Sequence, residues 1–415
     1  MSNHVQPEDS LARAALEEAK ALCRGAEVLP EGANGLARRI QEARSEGRVL
    51  RVKLGVDPTS CDLHLGHSVV LRALRRFQEH GHQVVLIVGG FTAQIGDPTG
   101  RNTTRPALTA EAVAANARTY LAQVGLILNL EKVEVVNNLS WLGSMDLNRV
   151  LKLASLVTAN QLLAKESFGE RIGKQQPVAL HELFYPVLQG FDSVEVRADV
   201  EIGGSDQRFN VLMGRQLQMH LGQKPQLAML LPLLPGIDGQ RKMSKSFGNS
   251  IGLTDAADQV FGKCMRIADE LIVPWFELLT ALSGDEVEAV QAELASGSNP
   301  KGAKERLARQ LVLQLHGEGA AQAAFDAWRR VHCERKVPAE MPSHVVASPV
   351  GVIDLMVQTD LAASKTQARN LIKGGGVSLA GERVSDLNLK VPVPAADGIV
   401  LQVGWRKFVR LVPTD

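Results

Sequence analysis

Two histidines separated by a leucine and a glycine, His64-Leu65-Gly66-His67, lie where an apolar run gives way to a helical pattern. Gly66 allows a ligand to approach the backbone closely, and a helix N-terminus carries a partial positive charge. Such a turn suits the phosphates of a nucleotide. Taken alone, the motif is equally consistent with two ordinary histidines at the start of a helix.

A second cluster, Lys242-Met243-Ser244-Lys245-Ser246, is flanked by glycines. It predicts a mobile cationic loop that closes on phosphates, although a lone Lys-x-x-Lys is usually a solvated basic loop. The chain has no G-x-x-x-x-G-K-S/T loop to hold a nucleotide instead. Both clusters suit a nucleotide site that works by positioning its substrate and by stabilising charge on phosphate oxygens.

The elements that would position these motifs alternate between strand and helix. Apolar runs at 51–56 and 83–90 enclose a helical pattern that ends at Gly81. This alternation predicts an α/β fold with a parallel sheet and crossover helices. Further strand-like runs lie at 133–136 and 227–234, and further helical patterns at 181–193 and 206–220.

Composition excludes several classes of protein. The chain is 45% hydrophobic with a net charge of +1, so any nucleic-acid surface must be local. Its four cysteines are far apart, which predicts no disulfide framework, no metal site and a reducing, cytoplasmic setting. The N-terminus has no signal-peptide pattern, and no apolar run is long enough to span a membrane.

Together the two clusters resemble the paired signatures of class I aminoacyl-tRNA synthetases. Over nearly the whole chain, five motifs in order are similar to those of the bacterial tyrosyl-tRNA synthetases, in the branch with a Lys-Met-Ser-Lys-Ser loop. Besides that loop they are Gly55-Val56-Asp57-Pro58-Thr59 with the histidine motif, Gly96-Asp97-Pro98-Thr99-Gly100-Arg101, Tyr185-Pro186-Val187-Leu188-Gln189-Gly190-Phe191-Asp192 and Gly203-Gly204-Ser205-Asp206-Gln207.

The resemblance implies a Rossmann-like catalytic domain that activates L-tyrosine with ATP to tyrosyl-AMP. The tyrosyl group would then pass to the 3′ end of tRNA(Tyr). It also implies a homodimer, and Mg²⁺ is expected to accompany ATP. The residues that it assigns to tyrosine are Asp57, Asp97, Asn138, Tyr185, Gln189, Asp192 and Gln207. Those that it assigns to ATP are Gly55, His64, Gly66, His67, Gly204, Asp206, Lys242, Ser244 and Lys245.

Within these sets, the resemblance assigns catalysis to Thr59, His64, His67, Lys242 and Lys245. Asp192 would accept the phenolic hydroxyl, while Asp97, Tyr185 and Gln189 would surround the α-ammonium group, with Asn138 and Gln207 nearby. One position departs from the family. Many members have a second tyrosine near the phenolic hydroxyl where this chain has Lys53, so the second partner of that hydroxyl is left open.

The C-terminal part contains Ser364-Lys365-Thr366-Gln367-Ala368-Arg369 at a predicted helix start, followed by the run IKGGGVSLAGERV. This pattern resembles the alpha-L RNA-binding motif of a small-subunit ribosomal protein. Residues 361–410 carry eight lysines and arginines against three acids, which predicts a phosphate-binding face. The residues expected to contact tRNA are Arg101, Arg105, Lys365, Arg369 and Lys373. The predicted domains are a helical extension (1–46), a catalytic domain (47–254), a helical domain for the anticodon arm (255–336), a linker (337–349) and an α+β RNA-binding domain (350–415).

Three other hypotheses compete with this one. The tryptophanyl enzymes share fold and chemistry, but the Gly-Gly-Ser-Asp-Gln motif and the alpha-L resemblance disfavour them. A non-catalytic RNA-binding protein on the same scaffold would be expected to lose the motif histidines or lysines. A nucleotidylyl transferase with His-x-Gly-His would need no RNA-binding module. Amino-acid-dependent exchange between ATP and pyrophosphate separates all four hypotheses.

Overall fold

A six-stranded sheet forms the centre of the larger of two compact units. The computed structural model describes residues 7–58, 62–99, 109–332, 341–404 and 407–414. The first unit takes in Met1–Ala256 and Lys263–Leu315, and the second Ala257–Gly262 and His316–Asp415. The strands of the first sheet are β1 (Glu27–Leu29), β2 (Arg51–Val56), β3 (Gln83–Val88), β4 (Val133–Asn137), β5 (Val200–Gly204) and β6 (Leu227–Leu231).

The strand order is β1-β6-β5-β2-β3-β4, and every pairing is parallel except that of β1 with β6. The chain builds outwards from β2 through β3 to β4, then returns to the other side of β2 with β5 and β6. The order therefore reverses between β2 and β5. In open parallel sheets, ligands bind in the crevice that this reversal leaves at the carboxyl ends of the strands.

The helices of the first unit cover the sheet and extend beyond it. They are α1 (Pro7–Leu22), α2 (Gly32–Ser45), α3 (Leu65–Glu79), α4 (Thr92–Ile95), α5 (Ala110–Val124), α6 (Leu139–Leu142), α7 (Leu147–Ala154), α8 (Ala159–Leu163), α9 (Glu166–Gly173), α10 (Leu180–Glu195) and α11 (Arg208–His220). After the sheet come α12 (Ala257–Cys264), which crosses between the two units, α13 (Ile272–Leu279), α14 (Gly284–Ala295) and α15 (Pro300–His316). Short 3₁₀ turns lie at Leu130–Lys132, Ser205–Gln207, Lys245–Phe247 and Asp269–Leu271.

The second unit has its own small sheet and core. Its elements are α16 (Glu318–His332), β7 (Ser343–Val345), β8 (Val350–Gly351), α17 (Val352–Gln358), α18 (Lys365–Lys373), β9 (Val377–Leu379), β10 (Glu382–Arg383), β11 (Lys390–Val391), β12 (Ile399–Val403) and β13 (Lys407–Val412). The sheet order is β10-β9-β12-β13-β7, and Leu355, Leu401 and Leu411 are fully buried between it and the helices.

The structure confirms the predicted α/β class and adds elements that the sequence pattern did not indicate. Strands β2, β3, β4 and β6 and the helical region after residue 255 lie where they were expected. The three-residue β1 was missed between the two N-terminal helices, and β5 was missed because Glu201 and two glycines interrupt its apolar pattern. Part of the predicted linker, Ser343–Val345, is strand β7, which pairs with β13. Within the described ranges, no helix is long and apolar enough to cross a membrane.

Candidate active site

A cavity of about 270 Å³ opens at the reversal of strand order, between the carboxyl ends of β2, β3 and β5. Its walls bring together residues from four of the five predicted motifs, all except the lysine loop. The predicted residues that line it are Gly55, Asp57, His67, Asp97, Asn138, Tyr185, Gln189, Asp192, Gly204 and Gln207. Sequence patterns that are far apart along the chain therefore meet in one place.

Asp57 follows β2 and lies at the centre of a buried hydrogen-bond network. The hydroxyl of Tyr185 donates to its Oδ2 at 2.8 Å, and the hydroxyl of Thr92 donates to its Oδ1 at 2.7 Å. Burial and the nearby carboxylates of Asp57 and Asp97 hold the pKa of the Tyr185 hydroxyl well above its usual value. Tyr185 therefore remains a donor at neutral pH and orients the Asp57 carboxylate.

Asp192 on α10 offers a buried carboxylate to the cavity. Asn138 Nδ2 donates to one of its oxygens at 3.2 Å, and Trp141 Nε1 donates to the other at 2.9 Å. Burial raises the pKa of Asp192 to about 7, against the lowering effects of Lys53 and of these two hydrogen bonds. A hydroxyl donor in the cavity could form a further hydrogen bond to this carboxylate, since each oxygen has two lone pairs.

A second polar group surrounds Asp97, which follows the short helix α4. Gln207 Nε2 donates to Asp97 Oδ2 at 2.8 Å, and Lys165 Nζ lies 3.8 Å from Oδ1. Asn210 Nδ2 donates to the side-chain oxygens of both Gln189 and Gln207, so the three amides fix one another. This end of the site has carboxylate and amide oxygens, the groups that accept hydrogen bonds from an ammonium ion.

Lys53 lies in the sheet beneath the cavity and is fully buried. Its Nζ lies 3.0 Å from Glu201 Oε1 and donates to Ser193 Oγ at 2.7 Å and to the Gln189 carbonyl at 3.1 Å. The lysine is therefore committed to a buried ion pair with Glu201, and it supports α10 from below.

The structure places Asn138 in contact with Asp192 rather than with Asp97. The resemblance implies a position near Asp97, Tyr185 and Gln189, whereas Asn138 Nδ2 donates to Asp192 at 3.2 Å and to Thr92 at 3.0 Å. Its Oδ1 accepts the backbone N–H of Phe91 at 2.9 Å. Asn138 thus orients the Asp192 carboxylate.

The histidine motif caps α3. His64 Nδ1 accepts the backbone N–H of Gly66 at 3.1 Å, and His67 Nδ1 accepts the backbone N–H of His64 at 3.2 Å. Burial, followed by the neighbouring His67 and lysine charges, lowers the pKa of His64 to about 3, and burial lowers that of His67 to about 4. Both rings are therefore neutral near pH 7. Because each Nδ1 accepts a hydrogen bond, each Nε2 carries the proton and can donate.

The lysine loop lies beside this helix start. Lys242 Nζ lies 3.5 Å from Asp206, and Lys245 Nζ lies 2.5 Å from Asp62. Ser244 forms a hydrogen bond through its N–H to Asn249 Oδ1 at 2.8 Å, which closes the loop. Both lysines have exposed side chains, so they can exchange these carboxylates for phosphate oxygens at small cost.

Several predicted residues lie elsewhere. Lys365, Arg369 and Lys373 lie on α18 of the second unit, where all three are exposed at four-residue intervals. Thr59, Arg101 and Arg105 are outside the described residues.

Sequence reasoning missed several residues of this site. These are Thr92, Tyr120, Trp141, Lys165, Glu201 and Asn210. Tyr120 had a usable signal, because the chain has only two tyrosines and both line the cavity.

Comparison with known proteins decides the family. Residues 45–332 match the model for class I tRNA synthetases (W and Y). The chain is 46% identical over 388 residues to a tyrosine–tRNA ligase of Moorella thermoacetica, which covers 93% of each chain. It is 44% identical to the tyrosine–tRNA ligase of Haemophilus influenzae, over 89% of this chain and 92% of that one.

The chain belongs to the class I tRNA synthetase family.

Two further comparisons extend this class I synthetase assignment. Residues 334–403 match the model of the tyrosine–tRNA ligase SYY-like C-terminal domain. A tyrosyl-tRNA synthetase from Archaeoglobus fulgidus, solved in complex with L-tyrosine, superposes with a TM-score of 0.61. The two chains are 22% identical, and the match covers 75% of this chain and 99% of that one. This likeness supports the fold and no more.

Proposed function

We propose that this synthetase is a tyrosine–tRNA ligase. It activates L-tyrosine with ATP to tyrosyl-AMP and pyrophosphate, and then transfers the tyrosyl group to the 3′ end of tRNA(Tyr). The observation that carries the choice of tyrosine is Asp192, a buried carboxylate held by Asn138 and Trp141 at the wall of the cavity. A carboxylate in that position favours a side chain that ends in a hydroxyl.

The polar side chains around Asp192 and those around Asp97 bind opposite ends of the amino acid. Asp192 accepts the phenolic hydroxyl. Asp97, Tyr185 and Gln189 surround the α-ammonium group, with Gln207 fixed beside them. Asn138 acts through Asp192, and Asp57 acts through Tyr185.

Tyr120 is the candidate for the missing second partner of the hydroxyl, whereas the one N–H of Trp141 is already used by Asp192. Trp141 donates to Asp192, and Tyr120 is buried at the cavity wall with its pKa raised by burial. Lys53 instead forms an ion pair with Glu201.

ATP is held by backbone approach and by donors. Gly55, Gly66 and Gly204 allow the nucleotide to lie against the main chain, and a methyl group at Gly66 would lie 2.9 Å from the His64 ring. The neutral imidazoles of His64 and His67 donate through Nε2. Donation by a neutral ring stabilises charge that builds on the phosphates without a proton transfer.

The remaining ATP residues close over the substrate. Asp206 holds the ribose, after Lys242 leaves it for phosphate. Lys245 leaves Asp62 in the same way, with Ser244 and Thr59 completing the contacts. No described group of three or more acidic, histidine or cysteine side chains could hold a metal ion, so Mg²⁺ enters bound to ATP as part of the substrate.

Transfer to tRNA uses a different part of the chain. The exposed cations of α18, Lys365, Arg369 and Lys373, form a row that suits RNA phosphates. The alpha-L character of residues 350–415, the anticodon role of the helices after residue 255, and contacts by Arg101 and Arg105 belong to the same proposal. So do the predicted domain boundaries, except that part of the predicted linker is strand β7 of the second unit.

We also propose that the enzyme works in the cytoplasm as a homodimer. Exposed apolar side chains on α6 and α7, including Leu139, Leu147 and Leu151, support a surface covered by a second copy. The described cysteines Cys23 and Cys264 are free thiols, as expected in a reducing compartment.

The test is amino-acid-dependent ATP–pyrophosphate exchange with each of the twenty amino acids. Tyrosine alone should support exchange. Exchange that depends on tryptophan would assign the chain to the tryptophanyl enzymes of the same family. Absence of exchange with every amino acid, in a protein that still binds tRNA, would favour a non-catalytic RNA-binding role.

A further inference from the structure

A second cavity, of about 470 Å³, lies against α3 and shares no lining residue with the substrate cavity. Four arginines contribute to its walls, three of them on α3. These arginines are Arg24, Arg72, Arg75 and Arg76. The opposite wall comes from the residue after α13, Thr280, and from α15, including Gln314 and Leu315.

One of the four arginines is already paired. Arg75 Nε donates to Glu79 at 2.7 Å, and its Nη1 donates to the Ile127 carbonyl at 3.3 Å. Among the residues that the structure describes, no carboxylate forms an ion pair with Arg24, Arg72 or Arg76. The cavity therefore carries three unbalanced positive charges.

The guanidinium groups also have unused donors. Arg76 Nη2 donates to the backbone carbonyl of Arg24 at 2.9 Å. Yet Arg76 Nε and Arg24 Nη2 are buried without a hydrogen-bond partner among the described residues. A buried charged donor without a partner costs free energy, which an acceptor anion would recover.

The arginines destabilise one another. Burial, followed by the charge of Arg76, lowers the pKa of Arg72 to about 10, and burial with the charge of Arg24 lowers that of Arg76 to about 10. Arg72 and Arg76 remain cationic near pH 7. Like charges held together in a recess are a common arrangement where an anion binds.

We propose that this cavity binds a small anion that carries a phosphate group. Guanidinium groups match phosphate oxygens through paired hydrogen bonds. Its volume falls within the range of about 300–1,000 Å³ that small-molecule sites occupy. Apolar wall residues such as Leu126, Ile127 and Leu315 suit an organic group attached to the phosphate. A recessed site of this kind favours a small molecule over the phosphodiester backbone of RNA.

Thermal unfolding of the full chain in inorganic phosphate tests the proposal, at an ionic strength held constant with chloride. The wild-type midpoint should rise with phosphate, because a ligand that binds only the folded state stabilises it. The double variant Arg72→Gln/Arg76→Gln should bind phosphate at least about tenfold more weakly, since two charge-assisted hydrogen-bond donors are lost. Arg306→Gln removes an exposed arginine paired with Glu293 outside the cavity, and it should retain the full response.

A second variant guards against misfolding of the first. Gln314→Glu places a carboxylate of nearly equal size in the wall opposite the α3 arginines. It should raise the unfolding midpoint in phosphate-free buffer and reduce the phosphate response. An unchanged phosphate response in both cavity variants would overturn the proposal, because the anion would then bind elsewhere, for example at the ATP site.

Binding of tRNA separates the two sources of phosphate. The double variant should bind tRNA as the wild type does and keep its ATP–pyrophosphate exchange activity. The opposite result has two parts: the unfolding midpoint of the wild type does not change with phosphate, and the double variant binds tRNA more weakly and with a smaller salt dependence. In that case the arginines contact RNA and the small-anion proposal is wrong.

Discussion

In the proposed function Asp192 selects the amino acid, so the first prediction concerns its charge. Asp192→Asn keeps the size of the side chain but replaces one acceptor oxygen with a donor. Tyrosine activation should weaken by about tenfold or more, because a hydrogen bond to a charged group contributes about 1.5–3 kcal/mol. Phenylalanine should gain relative to tyrosine. Rejection of phenylalanine through an unpaired polar group is an effect for which tyrosyl enzymes are themselves the standard example.

The measurement is kcat/KM for both amino acids in ATP–pyrophosphate exchange. Asp258→Asn, an exchange of the same kind on α12, serves as the control. Unchanged selectivity in Asp192→Asn would remove Asp192 from the phenolic site.

The pH dependence of tyrosine binding follows from the same residue. The pKa of Asp192 is raised to about 7 by burial, so its carboxyl is protonated below that pH and ionised above it. Only the ionised form accepts a charge-assisted hydrogen bond from the phenol. The KM for tyrosine should therefore rise as pH falls through about 7, while the KM for phenylalanine changes little. Asp192→Asn should flatten this profile. A profile that persists in the variant must come from another group.

At the residue level, helical spacing was enough to bring Tyr185, Gln189 and Asp192 to the site. They lie four and three residues apart on α10, so the 3.6-residue period places them on one side. The partners of Asp192 could not be deduced in this way. Trp141 and Asn138 come from the segment after β4, and only the sheet order brings that segment beside α10.

At the level of elements, the two lysines of the lysine loop form exposed ion pairs. Lys245 contacts Asp62 between two exposed side chains, and such pairs contribute little to stability. Its main contribution should come when charge builds on the phosphates. Lys245→Ala should lower the adenylation rate by roughly 10²–10³, the scale of one lost oxyanion donor.

Tyrosine binding in Lys245→Ala should barely change. Single-turnover formation of tyrosyl-AMP separates the two effects. Lys224→Ala removes an exposed lysine that pairs with Glu42 away from the site, and it should behave as wild type. Weaker tyrosine binding at an unchanged rate would reverse the role given to Lys245.

The turn after β3 should tolerate no side chain. A methyl group at Gly89 would lie 1.9 Å from Asp57 Oδ1 and 2.5 Å from Thr92 Oγ1. Gly89→Ala should therefore displace the Asp57 network and weaken tyrosine binding, or destabilise the fold. Gly173→Ala, at a helical glycine with no neighbour within 4 Å, is the matched control. The test is titration of both variants with tyrosine, followed by protein fluorescence, together with their thermal unfolding. Equal tyrosine affinity and equal unfolding midpoints in the two variants would show that the turn relaxes.

Strand β2 was predicted although it contains the buried Lys53, because the rest of its run is mostly apolar, whereas β5 was not predicted. Strand β5 carries Glu201, which is buried against Lys53 on β2. In the sequence, each charge argues against a central strand, and only their pairing across the sheet makes both acceptable. The same ion pair explains how the chain accommodates Lys53, the position that departs from the pattern of the resemblance.

At the scale of the whole molecule, the residues proposed for the chemistry and those proposed for RNA binding belong to different units. Every described residue proposed for adenylation belongs to the first unit, whereas the basic row of α18 belongs to the second. The local basic excess was visible in the sequence, but the limits of the unit were not. Strand β7 pairs with β13 across most of the second unit, and such long-range pairing leaves no local signal.

This pairing determines where the chain should be cut for the last prediction. A chain that ends at His332 removes β7 together with the sheet that it completes, whereas a cut near Pro349 would leave β7 unpaired. The shortened enzyme should form tyrosyl-adenylate at nearly the full rate in pyrophosphate exchange. It should charge tRNA poorly, mainly through a raised KM for tRNA, because phosphate contacts are lost.

The full-length variant Lys365→Ala/Arg369→Ala/Lys373→Ala isolates the charges from the fold of the second unit. Each lost phosphate contact should flatten the log–log salt dependence of tRNA binding by about 0.7–0.9. The triple variant should therefore flatten the slope by up to three times this amount, while its pyrophosphate exchange activity stays unchanged. Charging by the shortened enzyme that equals that of the intact chain would show that the second unit does not bind tRNA. Loss of exchange in a shortened chain that remains folded would show instead that the second unit supports the active site.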